Sequence, residues 1–412
     1  MNPNNPFRSL RHRNFRLYFT GQAVSLIGRW VQQVALSWLV FRLTGSSVLL
    51  GAVFFLSQAP MLVIGPVAGI WVDRCDRRAL ILAAQSLMAV QATVFAIAYF
   101  MDAIQPWHIL SMALILGILN SIDTPARLSI VSQLVEERDD LANAIALNSF
   151  AFNIARFIGP PVAGALLEFT SEGVCFSLNA ASLLVVVAAM AMVKVSPNER
   201  VSGPLGGAFV EGISYAWTSY PIRILIINLV VFNFVAASYV TLMPVFVTDV
   251  FDSGPQSLGL LLGAAGCGAL AAAGYLALRR SVRGLTSSIA VGSFIAAMAL
   301  LSFSIAGSVW IAGLLLFAVG YSLVVTNAST NTILQTIVAD PLRGRVLSLH
   351  AWAVQGMAAL GGLFAGSLGD VLGAQGAIAA VAIVLGAWAL AFLAQIRRLR
   401  AHMRKIYEGL KL

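Results

Sequence analysis

Residues 69–78 read GIWVDRCDRR, with Asp73, Arg74, Asp76, Arg77 and Arg78 filling five of six consecutive positions. No charge occurs between Arg42 and Asp73 upstream, or between Arg78 and Asp102 downstream. Each flank is long enough to cross a bilayer as a helix, which takes about 20 apolar residues for roughly 30 Å of hydrocarbon. The charged stretch therefore reads as a tight water-side turn between two spans. Charges divide the rest of the 412-residue chain in the same way, into uncharged windows at 17–41, 43–72, 79–101, 103–122, 141–167, 173–193, 224–248, 253–278, 284–339, 346–369 and 371–396, with Arg29 and Arg156 interrupting the first and fifth. The window at 284–339 holds two helices with a turn near Ala306, Gly307 and Ser308. Twelve spans result, and their Leu, Ala, Val and Ile runs lack the alternation of barrel strands.

Composition agrees. The chain is 59% hydrophobic and 10% charged, where a soluble domain carries roughly 25% charged residues. Cys75, Cys175 and Cys267 are scattered and form neither a disulfide framework nor a zinc spacing. The polar, basic N-terminus is followed by no small-residue cleavage site, so the first helix is expected to be retained. Phosphate-binding loops, zinc spacings and Ser nucleophile elbows are all lacking. The expectation is a protein that is not an enzyme and uses no cofactor and no metal.

An even number of spans puts both termini on one side, and Lys/Arg bias assigns that side as cytoplasmic. Of the 26 lysines and arginines, Arg42 alone then falls in an external loop, while Asp102, Glu168, Glu172, Asp249, Asp252 and Asp370 lie outside. The net charge of +9 is thus topological, and nucleic-acid binding is not expected. The implied location is a bacterial-type cytoplasmic (inner) membrane, with the lipid bilayer as surroundings and the chain a monomer.

Residues 194–222 form the longest polar stretch and read as a linker. The expected organisation is a cytoplasmic segment 1–14, a six-helix bundle 15–193, the linker 194–222, a second bundle 223–396 and a basic tail 397–412. The two halves look related. At an offset of 202, Gly159 meets Gly361, Gly164 meets Gly366, Leu166 meets Leu368 and Glu168 meets Asp370. Arg279, Arg280 and Arg283 form a degraded second copy of the opening turn. Parallel six-helix repeats are the trace of a rocking-bundle transporter. In the turn itself, Gly69 permits close helix approach. Asp73 does nothing for topology, but it can accept from a helix N-terminus or pair with an arginine. The arginines alone are equally explained as topology markers.

The pattern G-x-x-x-D-R-x-x-R-R between spans 2 and 3 resembles the signature loop of the major facilitator superfamily. TPARLSIVSQLVEERDDLANAIALNS (124–149), NIARFIGPPVAG (153–164), MPVFVTD (243–249) and LQTIVADPLRGRVLSLHAW (334–352) resemble the drug- and siderophore-exporter branch that includes the enterobactin exporter and macrolide efflux proteins. The resemblance implies an all-α membrane protein, twelve transmembrane helices in two pseudo-symmetric six-helix bundles. It implies a cytoplasmic gate latch at Gly69, Asp73, Arg77 and Arg78, with Arg279, Arg280 and Arg283 as its weaker copy. It also implies an exporter Gly-Pro motif at Gly159, Pro160 and Gly164. Arg29 departs from the family, which usually has a small residue there.

An ionisable group inside a span costs at least about 2.5–3.5 kcal/mol, so Arg29 and Arg156 are functional candidates by default. Each lies 12 residues from the external end of its window, about 18 Å deep. Neither has an acid in its own window, so each either bonds across helices or faces a wet cavity. Asp123, at the expected end of span 4, is read as an ion-pair partner of Arg127 or as a proton carrier. His350, which can titrate near neutrality, is a second proton-coupling candidate. Gln32, Gln33, Asn120, Asn153, Asn233 and Asn327 are candidate cavity groups, though such amides also join helices. Tyr239 and Tyr321 are candidate cavity walls. The expected function is secondary active export of a small amphipathic solute, anionic or zwitterionic because two buried arginines face no buried carboxylate. Alternating access with proton antiport is expected. The alternatives are a lysophospholipid-type flippase or a non-transporting receptor or scaffold with the same fold.

Overall fold

A computed structural model describes residues 6–195, 208–279 and 281–409, apart from the side chains of residues 66, 67, 69, 70, 73, 208–212, 341, 405 and 409. Its helices are α1 (Arg13–Thr44), α2 (Ser47–Arg74), α3 (Arg77–Phe100), α4 (Pro106–Leu134), α5 (Arg138–Phe169), α6 (Glu172–Met192), α7 (Ala208–Thr218), α8 (Tyr220–Val245), α9 (Pro255–Leu278), α10 (Leu285–Ser304), α11 (Val309–Ile337) and α12 (Asp340–Gly409). Eleven helices among the described residues are long and apolar enough to cross a membrane, against the twelve expected. The difference lies in α12. Its 70 residues would extend about 105 Å as one rod, several bilayer thicknesses. Gly373, at φ 71° and ψ 165°, breaks it into two arms, each long enough to span. With α12 counted as two segments, the expected number is recovered.

Helix ends follow local chemistry. Asp76 caps α3 by accepting from the N–H groups of Arg78 and Ala79, which explains how α2 and α3 are joined by only two residues. Gly45, at φ 62°, closes α1 by donating to Phe41. Helix α4 starts with Pro106 at its first position and a reciprocal Gln105–His108 cap. The stretch 194–222, read as a linker, carries the helix α7 in its later part, with Ala216 buried in the core that α8, α10, α11 and α12 build. The rest of that stretch, 196–207, lies outside the described residues.

The chain groups into two compact units. The first comprises Met1–Gly45, Ala59–Pro204 and Ser253–Gly263; the second comprises Ser46–Gln58, Leu205–Asp252 and Ala264–Leu412. In the first unit α1 packs on α5 and α6, and α3 on α4 and α6, around Phe15, Tyr18, Ile81, Ile130 and Met190. The chain ahead of α1 is pinned to the start of α5 by one carboxylate. Asp140 receives Arg8 (3.1 Å), Arg11 (2.8 Å) and His12 (2.9 Å), while Ser9 donates to its carbonyl. In the second unit α8 runs along α12, and α10 packs on α11 and α12.

Small residues set the closest helix contacts. A Cβ on Gly159 would overlap Trp30 of α1, and one on Gly361 would overlap the Phe234 carbonyl of α8. A Cβ on Gly164 would lie 2.9 Å from Gly259 Cα, and one on Gly366 2.9 Å from Gly51 Cα. The offset that pairs these glycines in sequence therefore pairs them in packing.

Candidate functional site

The first unit holds a buried ionic cluster at the middle of its helices. Arg29 is near the centre of α1, and α4 brings Asp123 and Arg127 to it on one face, one helical turn apart. The Asp123 carboxylate is fully buried. Its Oδ2 lies 2.6 Å from Arg127 Nε and 3.7 Å from Arg29 Nη1, and those two arginine side chains are 15% and 19% exposed. Gln85 Nε2 of α3 donates to Asp123 Oδ1 at 2.8 Å. Gln22 Oε1, a further α1 group, accepts from Arg127 (3.4 Å) and Arg29 (3.5 Å). Tyr18 donates to the Arg127 carbonyl. Gln22 Nε2, Ser25 Oγ and Gln85 Oε1 are buried around this cluster with no hydrogen-bond partner among the described residues. A polar solute group is one way to satisfy them.

This arrangement corrects the expectation that the buried arginines face no buried carboxylate. The window that ended at residue 122 was cut short by Asp123 itself. Helix α4 continues to Leu134, through Pro125, as membrane helices tolerate. Asp123 is therefore 11 residues, about 16 Å, from the end of its helix. Two guanidiniums against one carboxylate leave the cluster one positive charge, rather than an unopposed cationic pocket. The ion pair with Arg127 expected from the spacing is present, and Arg29 joins it.

The other candidates are distributed differently. Arg156 is half-buried, with no hydrogen bond or ion pair among the described residues. Gln32 is buried and accepts from Asn179 of α6, a helix-joining contact, while Gln33 is exposed. Asn120 is half-buried, and Asn153 donates to the Ser149 carbonyl of its own helix. In the second unit, Asn233 and Asn327 exchange amide hydrogen bonds at 3.0 and 3.1 Å across α8 and α11. His350 Nε2 lies 3.2 Å from the Asn327 carbonyl. Tyr239 is buried at 2% exposure, and Tyr321 stacks near Tyr275 at 6.2 Å. Sequence reasoning missed Gln22, Gln85 and Tyr18, which carry no signal apart from being polar groups inside apolar windows.

In the charged turn, Arg78 donates to the carbonyls of Met190 (3.0 Å) and Ala191 (2.7 Å), the last turn of α6, where a cation meets the negative end of the helix dipole. Arg77 donates to Ser129 of α4 at 3.3 Å. Arg279 laces the α9–α10 turn through Tyr275 (2.7 Å) and the Arg283 carbonyl (2.7 Å). The side chain of Asp73, the surroundings of Gly69 and the whole of Arg280 lie outside the described residues.

Solved structures share this fold at low identity. A bacterial homologue of the human lysosomal transporter Spinster is 16% identical, with a TM-score of 0.71, 98% of both chains being covered. A POT family transporter bound to 5-aminolevulinic acid is 12% identical, with a TM-score of 0.75, over 94% of this chain and 96% of that one. An all-α, multi-pass assembly of this kind has the major facilitator fold. The family follows from the sequence match: residues 4–406 fit the model described as transmembrane secretion effector, one of the major facilitator families, and the chain belongs to it. Among curated relatives, the staphyloferrin A transporter of Staphylococcus aureus is 26% identical, covering 87% of this chain and 90% of its own. The multidrug efflux pump Tap of Mycolicibacterium fortuitum is 27% identical over 90% and 93%. Macrolide efflux protein A of Streptococcus pyogenes is 24% identical over 61% and 64%. The chain is therefore a transporter of a small solute, not an enzyme.

Proposed function

We propose that this transporter exports a small amphipathic solute carrying an anionic group, in exchange for protons, across a bacterial-type inner membrane with both termini cytoplasmic. The rocking bodies are 15–193 and 223–396, joined by 194–222, with Arg77, Arg78 and Arg279 at the cytoplasmic gate. Relatives named for macrolide efflux and for multidrug efflux support export. The observation that carries the reading is the Asp123 carboxylate held by Arg29 and Arg127.

Linkage makes this cluster decide the charge of the solute. An anion drawn to Arg29 competes with Asp123, so it favours the protonated acid, and proton and anion travel together. A cationic group drawn to Asp123 competes with the proton, so the two exchange. By reciprocity each ligand changes the other's affinity by the same factor. Antiport at this cluster therefore favours a zwitterion: its ammonium displaces the proton from Asp123 while its anionic end takes Arg29. A zwitterionic lysophospholipid has the same headgroup logic and is the second reading, separated by measuring lipid uptake.

The test is proteoliposome transport of matched cationic, zwitterionic and anionic amphiphiles with internal pH recorded. The zwitterion is expected to exchange for protons, and Asp123→Asn to abolish the proton flux. Export of the cation alone, unaffected by Arg29→Ala, refutes the reading.

A further inference from the structure

We propose that a cavity between the α9–α10 turn and the end of α12 binds a phosphate group, supplied by an acidic phospholipid headgroup or by a soluble phosphate. The cavity, of about 520 Å³, is lined on one side by Arg283, Thr286 and Ser287 and on the other by Arg400, Arg404 and Tyr407. It lies wholly in the second unit, far along the chain from the Asp123 cluster, and shares with the expected gate copy only Arg283.

Three independent features converge there. The first is charge: three guanidiniums line the cavity against one acid, Glu408, which is paired with Arg404 at 2.7 Å. Arg400 donates to the Ser287 hydroxyl, so it is already drawn across the cavity. The second is the start of α10. Gly284 occupies its N-cap at φ 89° and offers no side-chain cap; the N–H groups of Leu285 and Ser287 are held by the Val282 and Gly284 carbonyls, which leaves that of Thr286, in the cavity wall, at the positive end of a 20-residue helix. The third is Tyr407. It is only 9% exposed, and its hydroxyl is buried without a hydrogen-bond partner among the described residues. Such a donor costs free energy until an acceptor reaches it.

Topology explains why arginines gather at this end of the chain. It does not explain a buried, unpartnered tyrosine hydroxyl in the wall of the same cavity as the α10 start. A phosphate does, because its several acceptor oxygens can take guanidinium, hydroxyl and backbone donors at once. Basic pockets beside membrane helices bind acidic headgroups in the same way. Met403 supplies an apolar wall on which the first carbons of a lipid chain would rest.

The experiment uses the full chain, purified and delipidated in neutral detergent. Thermal unfolding is followed against sodium phosphate, with sodium chloride at equal ionic strength as reference. It is then repeated in nanodiscs of phosphatidylcholine with and without phosphatidylglycerol. Saturable stabilisation is expected. Arg400→Gln should weaken it about tenfold or more, the loss of one charge-assisted contact. Tyr407→Phe should weaken binding while leaving the unliganded melting temperature unchanged or higher. Arg397→Gln, on the same tail but outside the cavity, should leave binding intact. Saturation by phosphate alone identifies a soluble source, and saturation only by phosphatidylglycerol identifies the headgroup; either supports the site. No saturable effect, or equal loss with Arg397→Gln and Arg400→Gln, overturns it. Because the readout is binding, failure here leaves the transport reading untouched.

Discussion

Replacing Asp123 with asparagine removes one negative charge and keeps the shape of the side chain, including an acceptor for Gln85, now 2.8 Å away. It leaves two guanidiniums around a neutral amide, with Arg127 15% and Arg29 19% exposed. At an effective dielectric near 20, unit charges about 4 Å apart interact by about 4 kcal/mol. Breaking a buried pair costs about 3–5 kcal/mol net, because the surviving charge stays desolvated. Arg29→Gln should be far milder, since it leaves the 2.6 Å pair between Asp123 and Arg127. The informative protein is the double variant Asp123→Asn with Arg29→Gln. Removing the second charge relieves part of the damage, so the double should be more stable than Asp123→Asn alone. Coupling of about 1–3 kcal/mol is the range for residues in one network. Thermal unfolding by intrinsic fluorescence, with eight tryptophans in the chain, gives the four stabilities of the cycle. If the double loses the sum of the two singles, Arg29 and Asp123 do not interact, and the charge argument for the solute falls with them.

Gly361→Ala should sharply lower melting temperature or yield, because its Cβ would overlap the Phe234 backbone, whereas Gly274→Ala, with nothing within 4 Å, should be neutral or gain up to about 1 kcal/mol. Gly373→Ala has equal space but sits at φ 71° and ψ 165°, a region essentially confined to glycine, so it should cost about 1–3 kcal/mol by thermal unfolding. Asn233→Leu should destabilise by about 1–3 kcal/mol by stranding the Asn327 amide, and the double Asn233→Leu with Asn327→Leu should recover much of that loss. Equal losses in single and double would mean the amides are not a pair.

The residues that mark water were the readable ones. Asp73 to Arg78 located a turn that α2 and α3 do flank, and the Ala306–Ser308 turn falls between α10 and α11. The same rule failed where a charge is not at the surface. Asp123 reads as an edge because it is acidic, yet α4 carries it deep into the first unit. Hydropathy cannot register a charge whose solvation is supplied by Arg29 and Arg127 on packed helices. Helix α7 is hard to read in the sequence because, among its described side chains, Ala216 and Tyr215 press into the core while Ile213 and Trp217 face outward. The partner of Gln32 was also illegible: Asn179 is 147 positions away, and only packing brings them together. Asp140 belongs to the same class, since its partners Arg8, Arg11 and His12 lie ahead of α1.

The repeat at an offset of 202 recurs in the way its glycines pack. In the first unit Gly164 of α5 meets Gly259 at the start of α9, and in the second Gly366 of α12 meets Gly51 at the start of α2. Contacts between glycines let the helix backbones approach closely. Each is bordered by an acid at a helix start. Glu168 lies beside Gly254, ahead of α9. Asp370 Oδ1 accepts from the Ser47 N–H at 2.9 Å, at the first residue of α2. A carboxylate on a helix N-terminus stabilises by about 0.3–1 kcal/mol, and removing an N-cap acceptor costs about 0.5–2 kcal/mol. Asp370→Ala should therefore lower unfolding stability by about 1 kcal/mol, while Asp370→Asn, which keeps an acceptor, should lose only the charge part. Unchanged stability in Asp370→Ala would show that the Ser47 contact carries no weight. Equal loss in both variants would show that charge, and not the hydrogen bond, holds the helix start.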